Sequence, residues 1–310
     1  MNILYHSGCD DGFGAAYVFW KHFNKQQLNF VPVSYPATLS DQQIEGFRDQ
    51  DVVVVDFCFD VETTDKLYDV ATSLVILDHH SDPAFSNMVR FIFQRFNTIP
   101  ASNNSIYYAN DRFKIVFDPS LSGAMLAWNY LNPTIPPPKA IQHIMEADLW
   151  KFQFQTKKFK SYLQSFDQNF EVWDSIIEEY EIDPYKILDQ GDAILRRYDA
   201  DVDYIMKHQS PSLITLYDGI ARPALALNTT KKYASTVATN LCKVVNPNTG
   251  LPYEYGCAYL FSGDKAIISL RCLNGFRVDT LASQYNGGGH EKASGFVMNA
   301  IDFSNLIFKP

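Results

Sequence analysis

Ser73-Leu-Val-Ile-Leu-Asp78-His79-His80 decides how this chain is read, because an apolar run of strand length ends abruptly in one carboxylate and two imidazoles. Two upstream runs end in the same way. Asn2-Ile-Leu-Tyr5 leads into His6, and Asp51-Val-Val-Val-Val55 leads into Asp56. Asn29 to Val33 reads as a further strand, while Ala16, Phe19, Trp20 and Phe23 fall at helical spacing before it, and Phe47 closes a second candidate helix after Asp41. Strands alternating with helices imply right-handed crossovers and a parallel sheet. His6, Asp56 and Asp78 each lie just beyond the carboxyl end of a predicted strand, which is where open α/β sheets place their sites.

Outward from this core the rhythm changes. Between Asp82 and Ser122 it breaks, and Ile106 to Phe117 reads as a hairpin turned at Asn110-Asp111, an insertion or flap over about Asn87 to Val116 that is expected to cover the site. A helix follows Pro136 to Pro138, with Ile141, Ile144 and Met145 as its apolar face. Pro184 to Met206 reads as a polar amphipathic helix, and after His208-Gln-Ser-Pro-Ser the strand and helix alternation resumes through Gly295. A chain of 310 residues also favours two domains over one. The expected organisation is an α/β protein whose N-terminal part, 1–185, is a doubly wound, mainly parallel sheet. Residues 186–210 connect it to a smaller α/β domain, 211–310, with the active site in the cleft between them.

Composition narrows the function. The chain is 46% apolar and 20% charged, with 35 acidic against 26 basic residues and a net charge of -9. Any nucleic acid must therefore be held by a local site, which argues against a partner such as long duplex nucleic acid. No apolar run approaches the roughly 18 residues of a membrane span, and Met1-Asn-Ile-Leu-Tyr-His leads into Cys-Asp-Asp, so a cytoplasmic protein without a membrane partner is expected. The five cysteines are widely spaced and form no Cys-x-x-Cys pair, which disfavours disulfides and a zinc ribbon.

Carboxylates and imidazoles delivered by separate strands to one edge repel or lose their charge unless a cation offsets them, and manganese, iron and zinc take such donors. Asp148, seven residues after Ile141, falls on the apolar face of its helix near the carboxyl end, where the macrodipole disfavours an anion. A salt bridge to Lys151 is the alternative to a cation there. Gly287-Gly-Gly-His290 offers bare backbone N–H groups, expected beside a helix start that favours a phosphate or terminal nucleotide, and Arg271 supplies a bidentate donor. Arg277 is a weaker candidate, with a solvated helix residue as the alternative reading. Of the many aromatic residues, Phe19, Trp20 and Trp128 are read as core.

Asp78-His79-His80 after an apolar strand resembles the signature of the DHH phosphoesterases. Asp56 resembles that family's second-motif aspartate, Asp148 in Ala-Asp-Leu-Trp its fourth, and Gly287 to Phe296 with Arg271 the glycine-rich loop and arginine of the DHH-associated C-terminal domain. The resemblance implies two divalent ions, expected to be manganese. His6 and either Cys9 or Asp10 would hold one, Asp11, His79 and Asp148 the other, and Asp56 both. It further implies that Asp78 orients His79, that His80 contacts the scissile phosphate, and that Arg271, Gly288, Gly289 and His290 hold the substrate's far end. The implied activity is hydrolysis of short oligonucleotides or small nucleotide phosphodiesters to 5'-mononucleotides. A 3'-phosphoadenosine 5'-phosphate phosphatase, a cyclic dinucleotide phosphodiesterase, a polyphosphate hydrolase and a non-catalytic nucleotide-binding module are the alternatives. The first motif departs from the family, since His6-Ser-Gly-Cys9-Asp10-Asp11-Gly12 carries cysteine where alignment on Asp11 expects aspartate. A thiolate there would bias the position toward zinc or iron.

Overall fold

The structure, a computed structural model, describes residues 1–23, 28–34, 37–80, 84–99 and 105–308. The chain divides into two compact units, Met1–Leu195 and Arg196–Pro310. In the first unit β1 (Asn2–His6), α1 (Asp10–His22), β2 (Asn29–Val33), α2 (Asp41–Glu45), β3 (Asp51–Val55), α3 (Val61–Val70) and β4 (Ser73–Asp78) alternate. They are followed by α4 (Ala84–Phe96), β5 (Ile106–Ala109), β6 (Phe113–Phe117), α5 (Gly123–Leu131), α6 (Lys139–Asp148), α7 (Thr156–Leu163) and α8 (Phe170–Ile182). A long helix, α9 (Pro184–His208), carries the chain from the first unit into the second.

The first unit is built on a six-stranded sheet ordered β2-β1-β3-β4-β6-β5, parallel except for the antiparallel edge strand β5. The four consecutive valines of β3 explain its central place, because a strand covered on both faces needs an apolar side chain at every position. Val53 and Val55 pack with α1, α5, α6 and α8, while Val52 and Val54 pack with α2, α3 and α4. The chain leaves β1 in one direction to form β2 and returns on the other side as β3. The resulting crevice at the carboxyl ends of β1 and β3 is a topological switch point, the usual place for a ligand in an open α/β sheet.

The expected flap is not a flap. β6 pairs in parallel with β4 from Leu74↔Phe113 to Asp78↔Phe117, and β5 closes the edge beside it. Phe113, Ile115 and Phe117 are buried with Met88, Phe91 and Ile92 of α4, so the hairpin completes a core layer. The part of that expected insertion at 100–104 lies outside the described residues.

In the second unit β7 (Ser212–Tyr217), β8 (Ala221–Asn228), α10 (Lys231–Leu241), β9 (Gly256–Ser262), β10 (Lys265–Arg271) and α11 (Val278–Ser283) precede β11 (Gly288–His290), β12 (Ala293–Asn299), α12 (Ala300–Ser304) and β13 (Ile307–Phe308). Its seven-stranded sheet runs β11-β12-β10-β9-β8-β7-β13 and is antiparallel except where β8 meets β9. No helix among the described residues is long and apolar enough to cross a membrane.

Phe113 is 1% exposed, and its truncation leaves a cavity that the two-layer packing cannot close. Phe113→Ala should lower the unfolding free energy by about 3–5 kcal/mol, measured by urea titration. A loss near zero would restore the expected flap.

Candidate metal centre

Each strand of the switch point hands one side chain to the crevice. β1 ends at His6, and the chain turns through Ser7 and Gly8 so that Cys9 caps α1 with its Sγ, which accepts a 3.2 Å hydrogen bond from the Gly12 N–H. The same sulfur lies 3.4 Å from His6 Nδ1 and 3.3 Å from Asp56 Oδ2, and His6 Nδ1 lies 3.4 Å from that oxygen. β3 ends one residue before Asp56, whose backbone is left-handed at φ 64°. Aspartate is among the few residues that tolerate this region, and the turn aims its carboxylate back over the sheet edge.

Asp56 faces two groups at once. Oδ2 meets His6 and Cys9, whereas Oδ1 lies 3.0 Å from His79 Nε2. His79 Nε2 is in turn 3.6 Å from both Asp11 Oδ2 and Asp148 Oδ2. Donor atoms of His6, Cys9 and Asp56, and separately of Asp11, Asp56 and His79, lie within 4.8 Å of one another. Asp11 is fixed from behind, because its carboxylate accepts from Gly123 N at 2.5 Å and from Ala124 N at 3.0 Å, the first turn of α5. An anion at a helix N-terminus is favoured by unpaired N–H groups and by the macrodipole. Asp148 ends α6, and its Oδ2 is buried with no hydrogen-bond partner among the described residues.

Electrostatics leaves this cluster incomplete without a cation. Burial raises the Asp11 carboxyl, and Asp56 and Asp148 push it further, well above its ordinary range. Burial and then Asp56 raise Asp148 despite its neighbouring imidazoles. Burial, Asp56 and Asp11 likewise hold the Cys9 thiol well above its usual value. Burial opposes charge on Asp56 as well, but His6 and His79 hold its carboxyl well below the usual range. A buried carboxylate oxygen without a donor, beside imidazoles and a thiol, suits a divalent transition ion.

The remaining expected residues fall less uniformly. Asp10 does not join the cluster: its Oδ2 accepts from Gln164 Nε2 at 2.6 Å, away from His6 and Asp56. Helix geometry separates it from Cys9 and Asp11, which point inward on either side. Asp78 was expected to orient the His79 ring, yet its Oδ1 reaches His79 through the backbone N–H at 2.7 Å and holds the His80 ring at 2.8 Å. Burial alone would lower His80, but the Asp78 charge and hydrogen bond, aided by Asp56 and Asp148, push it up to about 9. In the second unit Gly288, Gly289 and His290 form the edge strand β11 rather than a loop opening a helix. A side chain at Gly289 would meet Ala293 O at 2.6 Å, so packing on β12 demands glycine there. Arg271, at the end of β10, donates to Leu270 O at 2.7 Å and to Ser235 Oγ at 3.1 Å, and burial lowers it to about 10. Arg277 pairs with Asp279.

Gly123 was not anticipated. A Cβ there would lie 2.6 Å from Asp56 Cβ and 3.0 Å from Asp11 Oδ2, so glycine lets α5 approach both carboxylates. Ser122, which caps α5 immediately before an apolar helix, was the available signal.

Fold and site together define an α/β protein with a buried carboxylate, imidazole and thiol cluster at its switch point, and its motifs resemble those of the DHH phosphoesterases. No family model matches the chain. An uncharacterized protein of Acanthamoeba polyphaga mimivirus is 25% identical over 314 aligned positions, spanning 96% of this chain and 68% of its own length. Three solved structures are each similar over 98% of this chain. An exopolyphosphatase-related protein from Bacteroides fragilis has 15% identity, 89% of its chain covered and a TM-score of 0.48. A pGpG-specific phosphodiesterase from Vibrio cholerae has 10%, 95% and 0.44. RecJ from Thermus thermophilus, solved with Mn2+, has 12%, 50% and 0.47.

Because Cys9, Asp11 and Asp148 are pushed toward their protonated forms, binding of Mn2+ or Zn2+ should release protons and weaken as pH falls. Titration calorimetry in buffers of different ionisation enthalpy reads that release directly. Gly123→Ala should weaken the same binding by roughly tenfold or more, since it displaces two carboxylates together. Unchanged affinity would detach α5 from the centre.

Proposed function

We propose that this chain is a metal-dependent phosphoesterase of the DHH type, which hydrolyses a short oligonucleotide or small nucleotide phosphodiester to 5'-mononucleotides. The observation that carries the reading is Asp56, whose two carboxylate oxygens face two separate donor groups across one buried crevice. His6 and Cys9 would hold one divalent ion, Asp11, His79 and Asp148 the other, and Asp56 both. Two such ions would supply Lewis acidity to a phosphoryl group and a deprotonated water at neutral pH. His80, its ring fixed by Asp78, donates to a phosphoryl oxygen. Asp78 positions that ring without touching substrate. Arg271, Gly288, Gly289 and His290 of the second unit bind the substrate's non-reacting end. The net charge of -9 favours a small substrate over a long strand, which needs an extended basic surface.

Manganese was the expected ion, and the position of the Cys9 sulfur beside His6 and Asp56 favours zinc or iron in that half of the centre. Cys9→Ser should therefore lose bound metal and shift preference toward manganese, while Asp10→Asn keeps full occupancy, both counted by elemental analysis. The reverse pattern would return the ligand role to Asp10.

Activity is tested on dinucleotides to pentanucleotides, cyclic dinucleotides, 3'-phosphoadenosine 5'-phosphate and polyphosphate, with product identification. Asp56→Asn should fall by several orders of magnitude, and chelation should abolish turnover. Hydrolysis that survives both would overturn the two-metal reading. His290→Ala and Arg271→Ala should impair dinucleotide cleavage far more than cleavage of a small chromogenic diester, and equal losses on both would place these residues at the reacting phosphate.

A further inference from the structure

Just beyond Asp148 the backbone does something that neither helix termination nor core packing requires. Trp150, Phe152 and Phe154 occupy alternate positions, and all three are left-handed, with φ of 55°, 42° and 53°. Bulky side chains rarely enter that region, because Cβ crowds the carbonyl oxygen. A helix end accounts for one such residue, usually glycine or asparagine, and not for two more. Nor does burial compensate: Trp150 is 40% exposed and Phe154 is 81% exposed.

The strain is held in place from below. Lys151 N and Phe152 N both donate to Glu146 O, at 2.9 and 3.4 Å, and Thr156 Oγ1 donates to the Glu146 carboxylate and contacts Gln153 O at 2.9 Å. His143 joins Thr156 at 2.8 Å and Tyr180 at 2.7 Å in the same buried network. A strap tied down at both ends thus presents aromatic rings outward, and strain of this kind persists at ligand clamps. Trp150 and Phe152 meet edge to face at 5.6 Å, and the Lys157 ammonium lies 5.7 Å from the Phe152 ring centroid. Lys151 is exposed between the first two rings. Asp148 ends α6 two residues before Trp150, and Gln164, which closes α7, donates from Nε2 to Asp10 Oδ2 at 2.6 Å, so the strap and the helix after it border the candidate centre.

We infer that Trp150 to Phe154 is a nucleobase-stacking strap, on which the base of a nucleotide lies while its phosphate reaches the centre at Asp148. Every base offers a π-face, and aromatic side chains stack on it without reading sequence. Lys151 and Lys157 offset phosphate charge along the strap. The inference rests on the phosphoesterase reading and deepens it, because it assigns the substrate to nucleotides rather than to polyphosphate or a base-free ester.

The test measures binding of adenosine 5'-monophosphate, ribose 5-phosphate and inorganic tripolyphosphate to the metal-loaded full chain by calorimetry, with metal content counted in every variant. Wild-type protein should prefer the adenosine nucleotide over ribose 5-phosphate by roughly tenfold or more, the scale of one base stack. Trp150→Ala and Phe154→Ala should each remove most of that preference, and Trp150→Phe should keep it. Phe154 is largely exposed, so its truncation tests the strap even if Trp150→Ala fails to fold. Equal affinity of wild type for the adenosine and ribose phosphates, or equal losses for all three probes in both alanine variants, would overturn the strap. Ring-dependent nucleotide binding by a chain that hydrolyses no phosphoester would support the strap while overturning the phosphoesterase reading. Hydrolysis of nucleotides with no ring dependence would do the opposite.

Discussion

Burial of Asp56 between Asp11, His6 and His79 is the constraint on which the first unit depends. Taking carboxylates out of water is costly unless each charge meets a partner, and the chain meets that cost with unlike devices. Asp56 is held by imidazoles on both sides, and Asp11 by the first N–H groups of α5. Asp148 Oδ2 has His79 Nε2 at 3.6 Å and no hydrogen-bond donor among the described residues. The three carboxylates enter from α1, the end of β3 and the end of α6, so each is rigidly placed before any ion arrives. Gly12 and Gly123 follow from the same crowding: a Cβ at Gly12 would lie 2.1 Å from His6 O, and one at Gly123 would strike Asp56.

The parallel strands and their terminal ionisable residues were legible because apolar runs of strand length ended in His6, Asp56 and Asp78, a pattern that needs no partner to interpret. The hairpin at 106–117 was legible as a hairpin, but its role was misread for the opposite reason. Its alternation of Phe113, Ile115 and Phe117 is identical whether it stands alone or joins a sheet, and its partners in β4, from Leu74↔Phe113 to Asp78↔Phe117, lie far earlier in the chain. Local periodicity reports a buried face and is silent on what covers it. Gly287 to His290 illustrates a second blind spot, since glycine suits a phosphate loop and a crowded edge strand equally. Here the deciding contact is steric: a Cβ at Gly287 would lie 2.2 Å from Gly295 O. The left-handed aromatic residues after Asp148 carried no signal at all, because backbone strain is invisible in residue type unless glycine or asparagine marks it.

Asp78 shows how one residue can match a motif and still act differently from the expectation attached to it. Its Oδ1 gathers the backbone N–H groups of His79 and His80 together with the His80 ring, which freezes the turn after β4. That turn places His79 Nε2 between Asp56, Asp11 and Asp148. Control of His79 is therefore exerted through the main chain and control of His80 through the side chain. Sequence order alone does not distinguish the two routes.

Cys9 brings local geometry and chemistry together. As the N-cap of α1 it must turn its side chain toward the first helical N–H groups, and this same orientation sets its sulfur beside His6 and Asp56. Asp10, already inside the helix, is rotated away toward Gln164, whereas Asp11 is carried round to α5. The identity of the inward donor is thus decided by where the helix begins, not by which side chain is the better ligand. A carboxylate at position 9 would add another anion to a cluster that already holds its carboxyls out of their ordinary range. A thiol held toward its protonated form adds none, so cysteine at this position limits the repulsion among Asp11, Asp56 and Asp148.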